Sequence, residues 1–424
     1  MTNTNDLHIE DEILPLFDFT FNYHSGQVLR DVMLVLPGNM NEIQYRQQLL
    51  KGFIANSEIT RDYSFSRYNL AEIYDFLETF SAGTLSGSKL RWKLTFSEKE
   101  RQQKRGKLIQ LVLLFYKIQQ GYINKLEMTE FPAAYAAELQ QLKHFFSDFN
   151  LEQYERFIKK DKFGVGDMVD LIQLIAEKTT RGQMATFWKQ WFTFEAWLSI
   201  SRGIAKNGLV FPEFTDGHFS LQDTYHPLLK NPVKNSLTAD RNVILLTGPN
   251  MSGKSTLLKA VSLCVYLAHA GLAVPASSAS MPFFSTISVA INLTDSIVSG
   301  YSHFMSEIIA LKNVVAEAAK NEKCFAVFDE LFRGTNIEDA LEISTATIKG
   351  ATRFPQCLFF ISTHLHQLRD IAEIKTGKVT TCYIECELNN DTPYFTYKLK
   401  PGWSDLKLGR ILFEKEGLTR MLQQ

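Results

Sequence analysis

A ten-residue run contains the glycines, the lysine and the hydroxyl side chains that typically cradle nucleotide phosphates. Residues 247–256 are Thr-Gly-Pro-Asn-Met-Ser-Gly-Lys-Ser-Thr and fill every position of the pattern G-x-x-x-x-G-K-[ST]. In this pattern, loop N–H groups and the positive end of the next helix face the phosphates. We expect Lys254 to contact the β- and γ-phosphates and the Ser255 hydroxyl to bind Mg²⁺. The run predicts an ATP site with these candidate contacts: Gly248, Pro249, Asn250, Met251, Ser252, Gly253, Lys254, Ser255 and Thr256.

Two carboxylates and a histidine follow later apolar runs. Residues 324–328 are apolar and are followed by Asp329 and Glu330, at what would be the carboxyl edge of a sheet, where open α/β sheets bind ligands. We expect Asp329 to hold Mg²⁺ through water and Glu330 to orient and deprotonate the attacking water. A third apolar run, 358–363, precedes His364, which can hydrogen-bond the γ-phosphate or the water. A strand-end histidine alone is usually structural, but this setting favours catalysis. The catalytic candidates are Lys254, Glu330 and His364.

The surrounding segments predict the elements that position these residues. Residues 242–247 are nearly all apolar and predict a buried parallel strand, and residues 257–269 predict a helix. Beyond residues 212–232, apolar strands alternate with helices, which is typical of an α/β domain with a mainly parallel sheet. Upstream, long segments have helical periodicity and few prolines. We therefore predict an all-α domain over residues 1–210 and an α/β ATPase domain over residues 211–424.

Composition sets broader limits. A chain of 424 residues with 45% hydrophobic and 21% charged residues is expected to form two or three globular domains. Its net charge of -1 gives no general attraction to nucleic acid, so any DNA contact must come from local basic patches. The five cysteines form no disulfide framework or zinc spacing. No apolar run approaches the length of a membrane span, so we expect a cytoplasmic protein without a membrane partner.

Four segments together resemble the MutS family of DNA mismatch repair ATPases. In the first, Pro-Asn-Met after the first glycine is characteristic of the family. The others resemble its signature segment, its extended Walker B element and its histidine switch. Three residues depart from the family pattern: Ser252 and Phe332 stand where glycine is usual, and His303 stands where threonine is usual. The four segments are residues 247–256, 295–307, 329–336 and 363–364.

The resemblance implies an ABC-type ATPase that forms a homodimer with composite ATP sites. In such proteins each nucleotide lies between the P-loop of one subunit and the signature segment of the other, so Ser302 would contact the γ-phosphate in trans. Taken alone, Ser302 would be interpreted as a helix cap. Family members also stack the adenine on an aromatic residue upstream of the P-loop. The comparable stretch here, residues 231–235, offers Val233 for that contact.

The resemblance extends upstream into the family's helical core and lever domain. Residues 17–47 are similar to the beginning of that domain, while residues 194–199 and 225–229 resemble the segments that join its levers to the ATPase. Residues 401–409 match the pattern before the family's C-terminal tail. We expect the chain to lack the mismatch-binding and connector domains of full-length mismatch sensors. We also expect a reduced clamp, because the core is short between Phe80 and Phe194.

One basic stretch is the main candidate for DNA contact. Its side chains, at helical spacing, can follow phosphates without recognising sequence, although a solvated helix face is the alternative interpretation. Lys159, Lys160 and Lys162 are similarly ambiguous. The stretch comprises Lys89, Arg91, Lys93, Arg101, Lys104, Arg105 and Lys107.

These features together predict an ATPase that couples nucleotide state to binding of mismatched or otherwise structured DNA in repair. Its expected partners are DNA, a second copy of the chain and a repair protein. Two alternatives stay open. One is an ATP-dependent clamp or adaptor that binds a protein partner, and the other is an ATPase specific for branched DNA outside mismatch repair.

Overall fold

The structure is a computed structural model that describes residues 3–80, 87–291, 303–332, 334–389, 392–404, 406, 408–415 and 418–422. The chain divides into two compact units. The helical unit contains residues Leu14–Val35 and Gln44–Lys206, and the α/β unit contains Met1–Ile13, Leu36–Ile43 and Asn207–Gln424. After Lys206 the chain passes from the helical unit to the α/β unit, close to the boundary between residues 210 and 211 proposed from the sequence. Two N-terminal segments also belong to the α/β unit.

Helices account for nearly all regular structure before residue 208, as predicted. Their periodic apolar positions meet in an aromatic core, in which Phe115, Phe146, Phe187 and Trp191 are at most 1% exposed. Among the described residues, no helix is both long and apolar enough to cross a membrane. The helices are α1 (Tyr23–Leu34), α2 (Met40–Ala55), α3 (Ser57–Thr60), α4 (Arg67–Glu78), α5 (Gly87–Phe96), α6 (Glu98–Gly121), α7 (Ala133–Ser147), α8 (Leu151–Lys159), α9 (Val165–Thr180) and α10 (Gln183–Asn207).

A buried carboxylate on α10 fixes the start of the helical unit. Glu195 accepts hydrogen bonds from the Phe21 N–H, from Asn22 Nδ2 at 3.2 Å and from the Tyr63 hydroxyl at 3.2 Å. Desolvation raises the pKa of Glu195 to about 7, although these hydrogen bonds act in the opposite direction. The carboxylate therefore joins segments that are distant in sequence, at a desolvation cost.

The described part of the α/β unit contains two sheets, and the larger one is mainly parallel, as predicted. Its order is β10-β9-β4-β8-β7-β6, and among these described strands only β10 is antiparallel to its neighbour. A smaller sheet has the order β1-β5-β2-β3. The strands are β1 (Glu213–Phe214), β2 (Ser220–Thr224), β3 (Asn235–Thr238), β4 (Val243–Thr247), β5 (Ser278–Met281), β6 (Thr286–Ala290), β7 (Cys324–Phe328), β8 (Leu358–Ser362), β9 (Thr380–Asn389) and β10 (Thr392–Pro401). The helices are α11 (Lys254–His269), α12 (His303–Ala319), α13 (Ile337–Ala351), α14 (Ala372–Lys375), α15 (Leu408–Lys415) and α16 (Leu418–Met421).

The register of three central strands determines where their polar ends meet. All residues of β4, β7 and β8 are buried, which explains why these strands are continuous apolar runs. Leu246 of β4 is paired with Ser362 of β8, and Ile361 of β8 is paired with Phe328 of β7. The segments that follow these strands therefore share one edge of the sheet, and this edge carries the candidate site.

Candidate active site

The loop between β4 and α11 depends on glycine at two positions. Gly248 has φ 138° and Gly253 has φ 98°, a region that other residues rarely adopt. A Cβ atom on Gly253 would also lie 3.2 Å from Cδ1 of Tyr397. Between the glycines, Ser252 is fully buried, and its hydroxyl has no hydrogen-bond partner among the described residues. The loop thus turns tightly into the N-terminus of α11, where free N–H groups attract an anion.

Lys254 is folded into this loop. Its Nζ donates hydrogen bonds to the carbonyl oxygens of Gly248 at 2.9 Å and Pro249 at 3.1 Å, and it lies 4.0 Å from Oε1 of Glu330. The side chain is 4% exposed, and desolvation lowers its pKa, while the carboxylates of Glu330 and Asp329 act in the opposite direction. A buried ammonium group is stabilised by a nearby negative charge, because it has lost its hydration. A phosphate group can supply that charge.

Side chains from three elements form a hydrogen-bond network at the sheet edge. The Ser255 hydroxyl donates to Oδ2 of Asp329, and the Ser362 hydroxyl donates to Oδ1 of the same carboxylate. Ser362 also accepts the N–H of Glu330 at 2.8 Å. Ser255 and Asp329, the predicted Mg²⁺ ligands, are therefore adjacent. A hydroxyl and a carboxylate are donors of the kind that Mg²⁺ prefers, so the residues present fit this ion.

Glu330 is held in an unusual backbone conformation beside Lys254. Its φ is 51°, in the left-handed region, which costs on the order of 1–3 kcal/mol for a residue other than glycine. Its side chain is 15% exposed and lines a cavity of about 430 Å³, which is also lined by Lys254, Ser255 and Asp329. The hydrogen bond from the Glu330 N–H to Ser362 fixes this conformation. The carboxylate therefore faces the same space as the candidate phosphate and metal contacts.

A second left-handed residue ties the loop after β7 to the helix α12. Phe332 has φ 67°, is fully buried, and donates its N–H to Oε2 of Glu307 at 2.9 Å. Its ring lies 6.0 Å from that of Phe304, and a Cβ atom on Gly334 would lie 3.0 Å from the Cβ of Phe304. Desolvation raises the pKa of Glu307 to about 7, and the hydrogen bond acts in the opposite direction. Sequence reasoning noticed Phe332 only as a departure from the family and included Glu307 only as the last residue of the signature-like segment, without a role of its own.

A second cavity adjoins the first around the start of α11. It has a volume of about 330 Å³, and its lining includes Tyr225, Val233 and Ile384. Gly253, Thr256 and Tyr397 line both cavities, and each volume falls within the range of small-ligand sites. Val233 therefore lines a cavity that adjoins the phosphate loop, and its contact with adenine stays a prediction.

Tyr397 is a residue that sequence reasoning missed. It lies in β10, where the pairing with β9 shifts between Phe395 and Leu399, and its φ is 56°. Asn235 holds this bulge, because its Nδ2 donates to the Tyr397 carbonyl at 3.0 Å and its Oδ1 accepts the Leu399 N–H at 2.8 Å. In the sequence, residues 394–399 (Tyr-Phe-Thr-Tyr-Lys-Leu) alternate like a strand, and nothing local distinguishes one of the three aromatic side chains. The bulge turns one of these rings toward the two cavities.

His364 lies on the other side of the loop. It is exposed and lines a separate cavity of about 310 Å³, together with Pro249, Asn250 and Met251. Asp329 and Glu330 do not line this cavity. His364 is thus beside the phosphate loop without sharing the carboxylate cavity, and its catalytic role stays a prediction. Ser302 lies outside the described residues, as do residues 292–301, which include much of the signature-like segment.

Most of the candidate DNA-contacting side chains have partners within the helical unit. Lys93, Arg105 and Lys107 form ion pairs of 2.6–2.8 Å with Glu100, Asp161 and Glu72, respectively. Arg101 donates to carbonyl groups at the end of α5, Lys104 lies 5.8 Å from the centre of the Phe80 ring, and Lys159 pairs with Glu155. Lys160 and Lys162 are exposed, as are Lys89 and Arg91 on α5. The basic stretch is therefore not a uniform phosphate-binding face.

Comparisons with known proteins found a family match over the part of the chain that carries this site. Residues 244–418 match the family model for MutS domain V, a range that contains the phosphate loop, Asp329, Glu330 and His364. The DNA mismatch repair protein MutS of Bacillus subtilis (strain 168) is 32% identical over 206 residues, which cover 47% of this chain and 24% of that protein. The protein of the same name from Listeria monocytogenes serotype 4a (strain HCC23) is 31% identical over 226 residues, covering 51% and 26%. The chain thus spans about a quarter of the length of these curated relatives. The family-model match over residues 244–418 and these similarities over about half of the chain support a MutS-family protein.

Proposed function

We propose that this chain binds ATP with Mg²⁺ and hydrolyses it at the phosphate loop and the adjacent carboxylates. The observation that carries the proposal is the hydrogen-bond network that joins Ser255, Asp329, Ser362 and the N–H of Glu330. It holds two carboxylates with different partners beside one cavity: Asp329 is bound by two hydroxyl groups, and Glu330 lies near Lys254. These different surroundings suit Asp329 for metal binding and Glu330 for proton transfer.

Each residue has a defined task in this reaction. Lys254 and the N–H groups of the loop bind the β- and γ-phosphates, while Ser255 and Asp329 hold Mg²⁺. The metal neutralises phosphate charge when it is bound. Glu330 takes a proton from water as the water oxygen bonds to the γ-phosphorus. The bond from that phosphorus to the β–γ bridging oxygen breaks, and its electron pair leaves with ADP. His364 hydrogen-bonds the γ-phosphate and responds to its loss.

The second cavity supplies the base contact. Val233 and the ring of Tyr397 line it, and the cavity adjoins the phosphate loop through Gly253 and Thr256. We infer that the adenine packs between these side chains. Tyr397 would then provide the aromatic contact that the stretch around Val233 lacks.

The composite site and the DNA function extend the proposal beyond one chain. Ser302 from a second copy completes the ATP site, and nucleotide state is coupled to DNA binding through the helical unit. The relatives named above are DNA mismatch repair proteins, which supports a role in repair and a repair-protein partner.

A Glu330→Gln variant tests hydrolysis directly. Steady-state phosphate release should fall at least about 100-fold, because a positioned general base contributes at least that factor. The Kd for ATP should change by less than about threefold, since Lys254 and the loop remain. The matched control is Glu342→Gln, which changes an exposed carboxylate of α13. Turnover like that of the unchanged protein in Glu330→Gln would contradict the assignment.

Mixing two inactive variants tests the composite site. Ser302→Ala and Lys254→Ala should each impair turnover. A mixed dimer of the two should restore at most one working site, because one chain supplies an intact loop and the other an intact Ser302. Normal hydrolysis by both variants as monomers would rule out the trans arrangement.

An ATP-dependent clamp or adaptor for a protein partner is the second candidate function. The internal partners of Lys93, Arg105 and Lys107 favour it, because they reduce the charge available to DNA. A DNA affinity that falls with salt and changes with bound nucleotide would exclude it. Binding to mismatched, branched and plain duplex DNA, with and without ATP, separates this candidate from a mismatch-specific or branch-specific ATPase.

A further inference from the structure

The helix α5 exposes two large aromatic side chains on one face. Trp92 is 68% exposed and Phe96 is 72% exposed, and their ring centres lie 5.2 Å apart, one helical turn from each other. Three other tryptophans, all on α10, are at most 7% exposed. Large aromatic side chains are ordinarily buried because of the apolar area that they carry, so an exposed pair indicates a binding surface.

The sequence around this pair is rich in positive charge. Residues 87–107 hold eight Lys and Arg residues and two Glu, in a chain whose net charge is -1. The helix α5 itself carries Lys89, Arg91 and Lys93 and no acidic residue. Lys93 pairs with Glu100, whereas Lys89 and Arg91 are exposed and form no ion pair within the described residues. Lys89 shares a face with Trp92 and Phe96 at helical spacing, and Arg91 lies beside that face.

The helix is fixed in place from its opposite side. Leu90 and Leu94 are at most 4% exposed. Arg101 of α6 donates to the carbonyl groups of Leu94 at 3.4 Å and Thr95 at 3.1 Å, which lie in the last turn of α5. At the other end, a Cβ atom on Gly87 would meet the end of the Gln173 side chain on α9, so the start of α5 lies close to that helix. The helix that carries the exposed rings is therefore packed against the helical unit through its opposite face.

We propose that α5 is a platform for unpaired DNA, on which exposed bases stack against Trp92 and Phe96 while Lys89 and Arg91 contact the flanking phosphates. The inference rests on the proposed DNA function and names its substrate class: DNA with a single-stranded stretch. Stacking of an unpaired base on an aromatic ring contributes about 1–3 kcal/mol and tolerates any sequence. Duplex DNA offers phosphates to this surface, but its bases are already stacked on one another.

Other occupants fit the surface less well. A lipid bilayer requires a broad apolar face, and the leucines of α5 are buried in the protein, which leaves two rings among cations. Cores of protein interfaces are depleted in lysine, whereas Lys89 and Lys93 stand beside the rings. The alternation of aromatic and basic side chains matches single-stranded nucleic acid.

Fluorescence anisotropy with the full chain tests the platform. The probes are a labelled thymidine oligonucleotide of about 20 nucleotides and a labelled duplex of the same length, each with and without ATP. The protein should bind the single strand about tenfold more tightly than the duplex. Trp92→Ala and Phe96→Ala should each weaken single-strand binding about five- to tenfold and change duplex binding less than about twofold. A Lys89→Ala, Arg91→Ala double variant should weaken both and reduce the salt slope by about one to two.

Matched variants separate stacking from folding. Trp92→Phe keeps a ring and should retain most of the affinity. Tyr68→Ala removes another exposed aromatic side chain of the helical unit, on α4, and should leave binding unchanged. Because Trp92 is exposed, its replacement should change stability by less than about 0.5 kcal/mol. Intrinsic fluorescence should be quenched by the oligonucleotide in the unchanged protein and much less in Trp92→Phe.

The outcomes distinguish the platform from the DNA function on which it rests. If the chain binds neither probe in any nucleotide state, both proposals fail. If it binds DNA but Trp92→Ala and Phe96→Ala have no effect, the DNA function stands and the platform fails. Equal weakening of single-strand and duplex binding in Trp92→Ala would assign the ring a general structural role and would also overturn the platform.

Discussion

Two buried carboxylates, Glu195 in the helical unit and Glu307 in the α/β unit, have similar chemistry but different consequences. Desolvation raises the pKa of each to about 7, and each accepts a backbone N–H. Glu195 joins the start of the helical unit to Tyr63 and α10. Glu307 instead holds Phe332, two residues beyond the candidate base Glu330. The same residue type therefore joins distant segments of the fold in one unit and holds the loop that carries the candidate base in the other.

The two units also differ in where polar side chains remain available. Inside the helical unit, Lys178 is 3% exposed, pairs with Asp148 at 2.6 Å and lies 4.8 Å from the centre of the Phe145 ring, so its charge is already satisfied. At the sheet edge, Lys254 and Glu330 face an open cavity. The charged pair of the sheet edge therefore lines a cavity, whereas that of the helical unit lies against aromatic rings. The candidate binding surface of the helical unit lies on its outside, at α5.

Replacement of Glu195 should give the largest effect on stability. Glu195→Ala leaves the Phe21 N–H and the Tyr63 hydroxyl without their acceptor, and we expect the free energy of unfolding to fall by about 4 kcal/mol. Four of the five tryptophans lie in the helical unit, so tryptophan fluorescence during urea unfolding reports on this change. Glu195→Gln, which retains an acceptor oxygen, should lose much less. An equal loss in both variants would show that the charge, rather than hydrogen bonding, stabilises the unit.

The pH dependence of stability tests the same residue. Because the folded-state pKa of Glu195 is about 7 and lies above the ordinary value of 4.5, the folded state binds the proton more tightly. Its contribution is therefore fully present below about pH 4.5 and is lost as pH rises to about 7, up to about 3 kcal/mol. Glu195→Gln should remove this contribution from the unfolding curves of the helical unit. If the pH dependence is the same in Glu195→Gln, Glu195 is not its source.

Replacement of Glu307 should affect turnover more than binding. In Glu307→Ala the loop that carries Glu330 loses its hydrogen bond to α12, and we expect kcat to fall about tenfold, or about 1.4 kcal/mol, with KM changed less than twofold. The conservative Glu307→Gln keeps an acceptor and should restore most of the activity. Glu317→Gln, on the same helix, should be neutral, since its partner Lys320 is exposed. A parallel change of KM and kcat, or no rescue by glutamine, would argue against a positioning role.

Tyr397 should contribute the smallest of these effects. Tyr397→Ala removes the aromatic wall of the second cavity and should raise the Kd for ATP about fivefold, or about 1 kcal/mol, without a matching loss of kcat. Tyr397→Phe should bind like the unchanged protein. Tyr394→Ala, on the same strand and 57% exposed, is the control. Unchanged ATP affinity in Tyr397→Ala would place the adenine elsewhere.

Local features of the chain were sufficient to predict much of the α/β unit. The strands β4, β7 and β8 and the helix α11 were predicted within a few residues of their observed bounds, because buried parallel strands and the glycine loop leave contiguous signals. Asp329 and Glu330 were found because they directly follow such a strand. The aromatic pair on α5 was missed, since sequence alone shows helical spacing but not which face is covered.

The sequence by itself determined the phosphate loop, the two carboxylates and the alternation of strands and helices, because each is encoded within a few adjacent residues. Only the tertiary structure decided that Ser362 bonds the Asp329 carboxylate and the Glu330 N–H, that Glu307 ties the loop to α12 and that Asn235 turns Tyr397 toward the cavities. These contacts join residues that are 25 or more positions apart. They depend on strand order, register and a bulge, which arise when the whole unit packs and leave no local pattern in the chain.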